Sequence, residues 1–264
     1  MHSPKCRSTW MILSQIVISS SSYDVWRYSM IWEMRQYAIA PGRIADIHTR
    51  FREHLPPLLK RHRIKIRGRW TARANAGNQG FVYLIGYRDL AQREAQWRNF
   101  YADPDWPIVR ARSNGASDIV EAIDITFLRP CVGWQPTASN TATGGVHELV
   151  LTRVANGQAA AVSDELRALG RQLELRGGKV LLIADLVTGT DLPKAAMLVA
   201  WADDEHCLSS RRTIAADLDR QSALADQIKR FGQPLLGACV TLLLDPAADA
   251  LPQGWLGFVS AQSM

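Results

Sequence analysis

Apolar and polar positions alternate from Ile31 to Ile39 in a β-rich run, which predicts a strand. Pro41-Gly42 follows, and Ile44, Ile47, Phe51, Leu55 and Leu58 then recur at steps of three and four. That spacing is one apolar stripe of a helix ending near His62. Pro56-Pro57 is expected to kink or end part of it, because proline lacks the N–H and its ring crowds the preceding turn. Strands are predicted over 64–74 and 80–88, with a turn-rich link between them. Asp89 is a candidate N-cap for a helix through Tyr101, and 119–129 reads as a last strand.

The same order returns. Residues 146–154 align with 31–39 at an offset of 115, with Glu33 on Glu148 and Gly42 on Gly157. At an offset of 114, Asp89 falls on Asp203 and Asp103 on Asp217. The second copy reads as strand 146–154, helix 158–176 (stripe Val162, Leu166, Leu169, Leu173), strands 179–188 and 195–202, helix 204–218 and strand 236–244. A short extra helix carries Leu224, Ile228 and Phe231. Each copy is β-α-β-β-α-β, the split-βαβ or ferredoxin-like unit, whose helices leave one sheet face bare. A bare apolar face must be buried. The fold class expected is therefore α+β, with two tandem ferredoxin-like units pairing their sheets face to face as an α+β barrel. The expected boundaries are 30–130 and 146–245 for the two units, 131–145 for a Thr/Ser/Gly/Pro-rich linker, and 246–264 for a C-terminal tail.

Composition narrows the class further. The chain has 264 residues, 47% hydrophobic and 21% charged, a globular balance with no apolar run long enough for a membrane span. Four scattered cysteines make no disulfide framework, so a reduced, cytoplasmic setting is expected. Residues 1–29 hold Lys5 and Arg7, an apolar stretch from Trp10 to Ile18 and a serine run, which is superficially signal-like. Ser14 and Gln15 interrupt that stretch, and no small-residue cleavage site follows. The segment is expected to be an extension outside the fold. Net charge is +6, with 20 basic against 11 acidic residues in 1–130 and 11 against 14 in 131–264.

Strand alternation selects the candidate chemistry. Glu33, Arg35 and Tyr37 share one face of 31–39. In 64–70, Ile64, Ile66, Gly68 and Trp70 are expected to face the helices and Lys65, Arg67 and Arg69 the opposite side. Charged side chains aimed into a barrel must pair, stay wet or meet a ligand. Glu33 is expected to pair with Arg35 or Arg67, and an excess of arginine suits a carboxylate or phosphate. The candidate cavity is Glu33, Arg35, Tyr37, Arg67, Trp70, Tyr83 and Tyr87. The second copy has Val150 and Thr152 where Arg35 and Tyr37 stand, which places any site in the first half.

Other chemistries find no frame. Glycine-rich phosphate loops, the metalloprotease helix motif and the nucleophile elbow are missing from the sequence. His48, His54 and His62 are spaced against a shared metal, so neither metal nor cofactor is expected. The basic run from Lys60 to Arg73 lacks interleaved stacking aromatics, which argues against nucleic acid.

Glu33-Met34-Arg35-Gln36-Tyr37, then Pro41-Gly42, Gly68-Arg69-Trp70, Tyr87-Arg88-Asp89 with Arg93, and Asp103-Pro104-Asp105-Trp106 together resemble the ordered pattern of the NIPSNAP family over about 31–129. The resemblance implies a dimeric α+β-barrel fold. Animal relatives are linked to mitochondria and to vesicle or autophagy-related interactions, and the wider superfamily includes cofactor-free monooxygenases and haem-degrading enzymes. The catalytic residues of those enzymes do not map onto this chain. Two readings follow: a binding protein for a small anionic or aromatic ligand, a protein partner or its own copies; or a cofactor-independent monooxygenase or isomerase using Tyr37 or Glu33 for proton transfer. An enclosed pocket holding these groups together discriminates between them.

Overall fold

The computed structural model describes residues 30–73, 80–134 and 145–247. The extension 1–29, most of the linker and nearly all of the tail lie outside them. The first half runs β1 (Ile31–Ile39), α1 (Ile44–Thr49), a π-helical turn (Arg50–His54), α2 (Pro56–Arg61), β2 (Ile66–Ala72), β3 (Gly80–Tyr87), α3 (Leu90–Tyr101), α4 (Asp105–Asn114) and β4 (Val120–Pro130). The second runs β5 (Val146–Val154), α5 (Ala159–Glu174), β6 (Lys179–Leu186), β7 (Lys194–Trp201), α6 (Asp204–Ala216), α7 (Leu218–Phe231) and β8 (Leu236–Pro246). The two prolines break the first helix as expected. Neither Pro56 nor Pro57 can donate to the turn before it, so the backbone widens there. The Leu55 N–H reaches the Arg50 carbonyl, five residues back, at 2.9 Å.

The strands close into an antiparallel barrel in the order β1-β3-β2-β8-β5-β7-β6-β4. Each half supplies four neighbouring strands, and two short seams join them. Trp70–Ala72 pairs with Leu244–Pro246, and Leu128–Pro130 pairs with Ala184–Leu186. The barrel interior is apolar: Trp32, Met34, Trp70, Val82 and Leu84 from the first half meet Leu149, Leu182, Leu198 and Leu244 from the second. Each such side chain removed from water contributes about 1.5–3 kcal/mol. The bare sheet faces are thereby buried against each other.

A polar side chain, His147, also sits in that interior. His147 is fully buried, and its Nδ1 accepts a hydrogen bond from Trp70 Nε1 at 2.9 Å, tying the two halves together. Among the described residues its Nε2 has no hydrogen-bond partner. Burial pushes its pKa down to about 4, so the ring is neutral at physiological pH.

The face assignment for 64–70 needs correction. A β-bulge interrupts β2 between Ile66 and Gly68, leaving Arg67 as the extra residue. Alternation restarts after it. Ile64 and Ile66 pack on the helix side as expected, whereas Trp70 turns into the barrel. Arg69, expected on the side away from the helices, faces them, with its guanidinium 5.8 Å from the Phe51 ring. Glu33, Arg35 and Tyr37 do share a face, but it is the helix-covered face and not the interior. Sheet alternation fixes who shares a face; it says nothing of which face is which.

Internal correspondence extends to side-chain detail. Asp89 and Asp203 cap α3 and α6 by accepting from Gln92 and His206 N–H. Asp103 holds Arg61 at 2.7 Å and caps α4 through the Asp105 N–H. Its counterpart Asp217 holds Arg176 at 3.2 Å and caps α7 through Asp219 and Arg220. Helix α4 is an addition to the elements read from sequence, and α7 is longer than expected.

Candidate functional site

The helix-covered face of the first half holds both the charged cluster and a pocket. Along β3, Phe81, Tyr83, Ile85 and Tyr87 project toward the helices. Beside them on β1, Glu33 is fully buried and Arg35 is 2% exposed. Arg35 Nε donates to Glu33 Oε1 at 2.5 Å, and Arg93 Nε, from α3, donates to Oε2 at 2.9 Å. Burial alone raises the Glu33 pKa, but Arg93 and Arg35 outweigh it and hold the carboxyl below its usual range. The Arg35 guanidinium lies 3.8 Å over the Trp97 ring and reaches the Tyr101 hydroxyl at 3.4 Å. Its Nε and Nη1 are thus engaged by protein groups.

Next to this cluster, the Tyr37 and Tyr83 hydroxyls share a 2.5 Å hydrogen bond. Burial raises the pKa of both, so the phenols stay protonated and act as donors. They form part of the wall of a pocket of about 490 Å³ between the sheet and the helices. Phe51, Leu55, Trp97, Phe100 and Trp106 are among its apolar lining, Arg50 and Arg110 bring positive charge, and Asp118 and Glu121 bring negative charge. Size and lining are those of a small-molecule site.

Of the seven residues singled out from the sequence, five lie on this face: Glu33, Arg35, Tyr37, Tyr83 and Tyr87. Tyr37 and Tyr83 line the pocket, while Glu33 and Arg35 stand behind it as a closed ionic cluster. Tyr87 accepts from Trp97 Nε1 at 2.6 Å and supports that ring. Trp70 is in the barrel interior. Arg67 lies at the bulge over Gly86, where a Cβ would stand 3.4 Å from its Nε, and it does not meet Glu33. The expected Glu33–Arg35 pair forms; the partner that replaces Arg67 is Arg93. Arg50, Tyr101 and Trp106 were not singled out. Trp106 stands in the quoted Asp103-to-Trp106 motif, which was a signal for it; Arg50 sits in a helix read for its apolar stripe alone. Among the described residues no group of three His, Cys, Asp or Glu side chains is placed to hold a metal ion. No helix among them is long and apolar enough to cross a membrane.

A closed antiparallel barrel jacketed by helices, with a pocket under one helical layer, makes this an α+β-barrel protein. Residues 32–133 match the family model described as NIPSNAP. An uncharacterised NIPSNAP domain protein from Burkholderia xenovorans is 25% identical, covering 40% of this chain and 98% of its own, with a TM-score of 0.35. Among the solved structures that span most of both chains are two with a TM-score above 0.5. One, from Fusobacterium nucleatum and described as a "putative monooxygenase", is 8% identical with a TM-score of 0.53, over 83% of this chain and 92% of its own. The other, described in the same words and from Lactobacillus acidophilus, is 13% identical with a TM-score of 0.51, over 86% and 97%. At these identities the likeness is one of fold. No curated protein matches the chain.

Proposed function

We propose that the first half is a small-molecule binding module and the second half its closing partner in the barrel. In this reading the chain is two tandem ferredoxin-like units, 30–130 and 146–245, joined by 131–145 and followed by the tail 246–264. The shared β-α-β-β-α-β order and the matched helix caps support it. The observation that carries the binding role is the pocket of about 490 Å³ under the first-half helices, with aromatic walls and the Tyr37–Tyr83 donor pair. The enzymatic alternative asks Glu33 or Tyr37 to transfer a proton. Burial raises the Glu33 pKa but Arg93 and Arg35 bring it below its usual range, which makes the carboxylate a weaker base, and burial raises the Tyr37 pKa, which makes the phenol a weaker acid.

The reading predicts that bicyclic aromatics such as 2-naphthoate and 2-naphthylmethanol stabilise the protein. At a ligand concentration a hundred times Kd the gain is about 2.7 kcal/mol, which shifts Tm upward by roughly 5–10 °C for a chain of this size. Leu59→Trp, which fills the pocket from its α2 wall, should abolish the shift. An unchanged Tm with both compounds, or an equal shift in Leu59→Trp, contradicts the proposal.

A further inference from the structure

Arg50 is the most unusual pocket residue. It is 5% exposed, yet among the described residues it has no carboxylate partner. Its Nε donates to Ser113 Oγ at 2.8 Å and its Nη2 to Asn114 Oδ1, both neutral acceptors on α4. Asp118, whose charge acts on Arg50, is already engaged by Asn114 Nδ2 and by Arg110 Nη2 at 3.0 Å. Among the described residues Nη1 has no hydrogen-bond partner. A cation buried with neutral partners only is costly unless something else balances it. Arg35 differs, since Glu33 offsets its charge at 2.5 Å.

Local sequence builds this arrangement. The widened turn forced by Pro56 and Pro57 begins at Arg50 and buries it together with Phe51. The repeat gives an internal comparison. At the offset of 115, Glu165 stands where Arg50 does, and it pairs with Arg220 at 3.6 Å. Met197 stands at the position of Tyr83 at the offset of 114, and Thr152 at that of Tyr37 at 115. The buried cation and the paired phenols therefore occur together, in the half that has the pocket.

Resting on the binding role proposed above, we infer that the pocket takes a small apolar carboxylic acid, with its carboxylate on the Arg50 guanidinium and its apolar body among Phe51, Leu55, Phe100 and Trp106. A guanidinium presents a fork of donors matched to a carboxylate. The surrounding aromatic wall has little to offer a multiply charged, heavily hydrated anion.

Binding of 2-naphthoate and its neutral analogue 2-naphthylmethanol, followed by quenching of the pocket tryptophans and by calorimetry, tests this. The wild-type protein should prefer the acid by roughly ten- to a hundredfold, the effect of a charge-assisted hydrogen bond in a desolvated site. Arg50→Met should remove that preference while leaving the alcohol's affinity within about threefold. Asn114→Asp, which retains Arg50 but places a carboxylate against it, should also remove it and guards against misfolding of the first variant. Equal affinity of wild type for acid and alcohol overturns the carboxylate inference and leaves the pocket reading standing. A preference that survives both substitutions places the anchor elsewhere and overturns the role of Arg50. Binding of neither compound overturns the binding role itself.

Discussion

Glu33→Ala should lower stability by about 3–5 kcal/mol, the loss expected when one partner of a buried ionic cluster is removed. Arg35 and Arg93 would then face each other without the carboxylate that both now hold, at 2.5 and 2.9 Å. Arg35 is buried under Trp97 and fixed beside Tyr37 and Tyr101. The effect should appear as a fall in Tm of roughly 10 °C for a chain of this size. Glu33→Gln keeps an acceptor but not the charge and should fall between. Denaturant unfolding checks both, and a loss under about 1 kcal/mol for Glu33→Ala would show that the cluster is not closed as described. The same experiment bears on function, because a cluster that spends its charges internally is scaffold for the pocket wall.

The second large effect is a pH dependence set by His147. Its folded pKa is depressed to about 4 by burial, from an ordinary value near 6.5 in the unfolded chain. Between these values the unfolded state binds the proton and the folded state does not, so acid favours unfolding. The histidine's contribution is fully present above about pH 6.5 and declines by some 3 kcal/mol as pH falls toward 4. His206 acts with the opposite sign: Asp203 raises its pKa, so its contribution is present at low pH and lost as pH rises. It is exposed, and it cancels when variants are compared. His147→Gln, which can still accept from Trp70, should flatten the wild-type slope across this window. A stability difference between wild type and variant that stays constant from pH 7 to pH 4 would show that His147 is not buried and neutral in the barrel.

Much of the architecture was legible because its causes are local. The stripe from Ile44 to Leu58, the proline pair and the Asp89 cap act within a few residues, and each appears where the sequence placed it. Duplication did more, since two matching bare sheets have few ways to hide their apolar faces. The bulge at Arg67 was not legible. One inserted residue reverses every later side chain on the strand, and the one local mark of the interruption is Gly68, since a glycine inside a strand often accompanies a bulge. Consequently Trp70 was assigned to the wrong side and Arg67 to the wrong partner. Helix α4 was hidden because no side chain in it is fully buried, so it shows no apolar stripe. Its counterpart α7 was foreseen in part, and carrying that helix back through the repeat would have found α4. The chemistry of Arg50 depends on α4, which explains why a buried cation in plain sequence view went unread.

The account stands on the ligand site lying between sheet and helices in the first half, with the barrel interior solid. A crystal structure of the protein grown with 2-naphthoate tests this most directly. The expected result is ring density between Phe51 and Trp106 with the carboxylate on Arg50. Density inside the barrel against Trp32, Trp70 and His147 would contradict it.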